Sequence, residues 1–60
     1  MRVIVIDYDN KSDSYEAEII DTEGFVESAT VGVKTKQGIN EWLNDHKVTR
    51  EEYQNARFNY

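Results

Sequence analysis

Ser14-Tyr15-Glu16-Ala17-Glu18-Ile19-Ile20-Asp21-Thr22-Glu23-Gly24-Phe25 is the stretch on which the fold of this chain turns. Tyr15, Ala17 and Ile19 alternate with Glu16 and Glu18, the period-two pattern of a half-buried strand. Asp21 to Gly24 then supply a tight hairpin loop, with Gly24 free to take positive φ. Beyond the loop a second strand runs from Phe25 to Val33, with Phe25, Ala29, Val31 and Val33 on one side. Glu27 interrupts that side, and Gly32 weakens the strand locally.

Upstream, Arg2 to Tyr8 is a strand whose β-branched residues are contiguous, so both of its faces are apolar. Val3 and Val5 are assigned to the core, and Ile4, Ile6 and Tyr8 to a face left without cover. Asp9 to Asp13 is a polar loop of residues that bond their own backbone in turns.

Downstream of Lys34 the period changes. Ile39, Trp42 and Leu43 follow i, i+3, i+4 spacing, which predicts an amphipathic helix over Thr35 to Asp45, with Gly38 weakening its first turn. Thr49-Arg50-Glu51-Glu52 is a capping box that opens a second helix running to about Arg57. Val48 and Tyr53 stand at the positions of a hydrophobic staple around it. The fold class is therefore α+β: a three-stranded antiparallel meander followed by two short helices packed on one face, β-β-β-α-α, in one domain covering residues 1–60. Ile39, Trp42, Leu43, Tyr53 and Phe25 are expected to meet Val3, Val5, Ala17 and Ile19 in the core.

Sixty residues bury only about 60% of the unfolded chain's surface, so stability is marginal. With no cysteine and one histidine, neither a disulfide nor a cysteine or histidine-rich metal site is available as a staple. Self-association remains, and a homodimer is one expectation. No apolar run approaches the ~18 residues that span a bilayer, and the opening stretch is too short for a signal-peptide core. The expected location is cytoplasmic.

The net charge of −5 is uneven. Residues 1–33 carry eight carboxylates against Arg2 and Lys11, whereas residues 34–60 carry four against five basic side chains. That field disfavours direct binding to nucleic-acid phosphates.

Val3-Ile4-Val5-Ile6-Asp7-Tyr8-Asp9 resembles the first motif of the haloacid dehalogenase phosphotransferases, an apolar strand ending in Asp-x-Asp. The resemblance implies a nucleophile at Asp7, a general acid/base at Asp9 and Mg²⁺ beside them. It covers seven residues; Asn10-Lys11 replaces the usual Gly-Thr, and the chain has no room for the family's remaining motifs. A calcium loop opening at Asp7 gains Glu18 at its twelfth position but meets Lys11 at the fifth and Ser12 at the sixth. His46 has no nucleophile in context and reads as a helix C-terminal residue. No catalytic, cofactor-binding or metal residue is assigned.

The run from Leu43 to Tyr53 looks like a local pattern of short bacterial and phage proteins, and capping physics alone accounts for it. The expected function is that of a non-enzymatic, acidic protein-interaction module, accessory or regulatory, of bacterial, phage or mobile-element origin. Its expected partner is another protein or a second copy, with neither nucleic acid nor membrane bound directly and no cofactor. The candidate surface comprises Ile4, Ile6, Tyr8, Glu16, Glu18 and Glu27. The alternative is an acidic mimic of nucleic acid that inhibits a DNA-binding protein, with Glu16 and Glu18 joined by Asp13 or Glu27 in a negative stripe.

Overall fold

Val3–Asp9 (β1) and Ser14–Ile20 (β2) form an antiparallel hairpin in the computed structural model, which describes all residues from Met1 to Tyr60. Asp9 pairs with Ser14, so four residues make the turn. Asp9 Oδ1 accepts the Lys11 amide at 3.0 Å, and Asp13 closes the turn in the left-handed region at φ 52°. This register sets Ile4 against Ile19, Ile6 against Ala17 and Tyr8 against Tyr15.

The register corrects the assignment of faces on β1. Ile4 and Ile6 are 0% and 2% exposed and form the core with Ala17 and Ile19, while Val3 and Val5 point to the other side. A turn one residue longer would have paired Val5 with Ala17. In a strand, a slip of one residue sends every side chain to the opposite face.

Val26–Val33 (β3) continues the meander on β2 through a loop closed by Asp21, whose Oδ1 accepts the amides of Glu23 at 2.9 Å and Phe25 at 3.0 Å. Gly24 sits there at φ 93°, as the hairpin reading requires. Phe25 belongs to this loop and is 68% exposed, so it contributes nothing to the core. Two register shifts against β2 break the alternation of β3. They leave Val33 packed on the core, while Ala29 and Val31 are exposed on the far side.

Lys36–Asp45 (α1) is capped by Thr35, whose Oγ1 accepts the Gly38 amide at 3.0 Å. It buries Ile39 and Leu43 against the sheet, with Trp42 half-buried beside them. His46 caps its C-terminus, with Nδ1 2.8 Å from the Trp42 carbonyl oxygen and its ring 4.4 Å from the indole. Lys47 takes the left-handed position at φ 57°; its amide bonds Asn44 O at 2.9 Å, and that of Val48 bonds Leu43 O at 3.1 Å. This is a Schellman closure, completed by the packing of Val48 on the core.

Arg50–Gln54 (α2) opens with the expected capping box: Glu52 N donates to Thr49 Oγ1 at 3.1 Å and Thr49 N donates to Glu52 Oε1 at 2.9 Å. The helix ends sooner than its sequence pattern predicts. Asn55 caps it, and Arg57–Phe58 form a two-residue strand (β4) that pairs parallel with β1. Because α2 turns Glu52 inward, Tyr53 is left 40% exposed rather than buried in the core.

The sheet order is β3-β2-β1-β4, with both helices on the inner face. The protein is thus an α+β meander with two helices on one side, plus a short fourth strand. No helix is long and apolar enough to cross a membrane.

Candidate interaction surface

The outer face of the sheet has no helix over it. Pairing and alternation place Val3, Val5 and Asp7 of β1 there, beside Ile20, Glu18 and Glu16 of β2. β3 adds Val26 opposite Ile20, Ala29 opposite Glu18, and Val31. A solvated antiparallel face normally carries polar side chains. Here six apolar residues occupy it, among them Val26 at 56% and Val31 at 73% exposure.

Three carboxylates lie among these apolar groups. Asp7 stands directly across from Glu16, and Glu18 follows two residues along β2. Like charges placed opposite one another disfavour the sheet. The ion pairs of the structure, both made by Arg2, lie elsewhere and leave these three without a cation. An open depression of about 320 Å³ lies over them, with Ala29 and Val31 forming its apolar side. No three acidic or histidine side chains come together as metal ligands.

The six residues of the candidate surface fall into four places. Ile4 and Ile6 are core. Glu16 and Glu18 stay together on the outer face, joined by Asp7 rather than by Asp13 or Glu27. Tyr8 lies in an inner aromatic cluster, 5.0 Å from Tyr15, which in turn lies 5.7 Å from Tyr60; Phe58 links Tyr60 to Tyr53 at 6.1 Å on either side. These rings pack on one another, but only Tyr15 reaches the core; Tyr53, Phe58 and Tyr60 remain exposed. Tyr8 donates to Asp13 Oδ1, and that hydrogen bond, ahead of desolvation, raises its phenol above the ordinary pKa.

Glu27 serves a clamp instead. Its carboxylate lies 3.4 Å from Arg2, whose guanidinium also donates to Glu52 and to the carbonyls of His46 and Lys47 at 3.3 and 3.0 Å. Hydrogen bonds from Arg2 and then from the Thr49 amide pull the Glu52 carboxyl down to about 2.

Two signals could have located the outer face from sequence. One is the alternation of β2, which sets Glu16 and Glu18 on the face opposite Ala17 and Ile19. The other is the excess of β-branched residues in β1, more than one buried face can use. No protein-family model, no curated protein and no solved structure matches this chain.

Proposed function

We propose that this chain is a non-enzymatic protein-interaction module that meets its partner through the outer face of its sheet. One observation carries the reading: six apolar side chains lie on a sheet face that nothing in the chain covers. Contiguous exposed apolar surface of this kind marks an interaction site in a small protein. The lone histidine supports the non-enzymatic part, because His46 Nδ1 is tied to the Trp42 carbonyl and its ring packs at a tilt of 42° against the indole.

The acidic-mimic reading rests on Asp7, Glu16 and Glu18. The valines between them favour the interaction module, since a phosphate-like surface has no use for apolar side chains.

Comparative affinity capture tests the reading. Three baits are used: the unaltered chain, a Val5→Lys/Val31→Lys variant, and a Gln37→Lys control on α1. A protein retained by the first and third and lost by the second is the expected result. Equal recovery on all three overturns the proposal.

A further inference from the structure

The chemistry of the outer face also indicates what covers it; this inference rests on the interaction reading above. We propose that the occupant is a segment of a different protein in which lysine or arginine alternates with apolar residues. Three features lead there.

The first is charge. Asp7, Glu16 and Glu18 have no cation of their own, and β1 and β2 hold them together. Two copies stacked through this face would bring six carboxylates together against two arginines, the Arg57 of each copy. Arg57, paired with Val5, is the basic side chain that the sheet pairing places at its edge. A second copy is therefore a poor occupant and a basic segment a good one, because opposite potentials guide and register association.

The second is shape. The depression over β2 has carboxylates on one side and Ala29 and Val31 on the other. A long basic side chain fits such a surface: its methylenes pack on the alanine and valine while its charged head reaches Glu16 or Glu18. An arginine fork can bond a carboxylate at two points.

The third is spacing. Glu16 and Glu18 lie two residues apart on one strand, about 7 Å along its axis. Basic residues at alternate positions of an extended segment repeat at that interval. A segment lying edge-on in the depression sends these basic side chains toward Glu16 and Glu18 and the apolar residues between them toward Val26 and Val31 of β3.

A short synthetic peptide alternating valine and arginine is the probe, titrated into the labelled protein and followed by amide NMR shifts. The expected shifts fall on residues 3–7, 16–20 and 26–31. Affinity should drop about tenfold or more in the Glu16→Gln/Glu18→Gln variant, as charge-assisted hydrogen bonds are lost. It should also weaken between about 50 and 300 mM salt. Val31→Ser should weaken it further, and a peptide alternating serine and arginine should bind worse than the valine form.

Equal binding of the serine peptide would mean simple attraction between opposite charges and would overturn the proposal. Shifts confined to the helices, or unchanged affinity in the Gln variant, would overturn it too. If the valine–arginine peptide fails while Val5→Lys/Val31→Lys still abolishes capture, the interaction reading stands and the basic-segment inference falls.

Discussion

Arg2 and Glu52, fifty residues apart in sequence, meet in a two-point contact: Nε lies 3.1 Å from Oε2 and Nη2 3.0 Å from Oε1. The same carboxylate closes the capping box of α2, so one side chain fastens β1 to the helical hairpin and caps a helix.

This pair sets the acid limit of the fold. The Glu52 carboxyl lies at about 2 in the folded chain, below its ordinary 4.5. A carboxyl depressed by folding contributes its full stability above the unfolded value and loses it as pH falls through the folded one. Thermal unfolding from about pH 6 down to pH 2 should show a falling midpoint across the interval from 4.5 to 2. Glu52→Gln should cost about 2 kcal/mol near neutral pH and flatten that fall, since its amide cannot carry the charge.

Lys47 occupies the position at which helices prefer glycine, with φ 57°. Lys47→Gly should raise stability by about 1 kcal/mol, because a left-handed L-residue is strained by roughly that amount. The Lys47 carbonyl that accepts Arg2 is kept in the variant. Denaturant unfolding should give a higher midpoint with an unchanged slope.

Gly38 behaves in the opposite sense. Alanine in a helix is ordinarily better than glycine by about 1 kcal/mol. Here an added Cβ would come within 2.7 Å of Val33 Cγ1 and 3.3 Å of Thr35 Oγ1. Gly38→Ala should therefore destabilise, by about 1 kcal/mol, as overpacking does. A double-mutant cycle with Val33→Ala should recover that amount as coupling energy.

Glu16→Lys separates stability from binding. It places a cation across from Asp7 and should raise stability by a few tenths of a kcal/mol, or about 0.5 at most. It should also abolish binding of the valine–arginine peptide. Calorimetry and the NMR titration on the same variant check both outcomes.

The parts of this fold governed by local chemistry are readable from the residues alone. The capping box at Thr49, the positive φ at Gly24 and the change of period after Lys34 each arise within a few residues. Global pairings escape such a reading. The side to which Ile4 and Ile6 face depends on a turn four residues long rather than five, and both lengths suit the same polar sequence. The Schellman closure hides because lysine stands where glycine would announce it. Arg57–Phe58 is too short to show a period, and it becomes a strand only because β1 offers it an unpaired edge. Of the candidate surface, the carboxylate pair Glu16 and Glu18 is legible through alternation, whereas Asp7 joins them only once the register is known.

That two-residue strand has a consequence for aggregation. β1 holds two of the most deeply buried side chains, Ile4 and Ile6, and one of its flanks is guarded only by Arg57, Phe58 and the bond from Asn59 N to Ile6 O at 2.9 Å. If residues 57–59 detach, the most apolar strand of the protein becomes an unprotected template for cross-β growth. Truncation before Arg57 should thus turn a well-behaved domain into a fibril-former, with thioflavin fluorescence rising at concentrations where the intact chain stays clear.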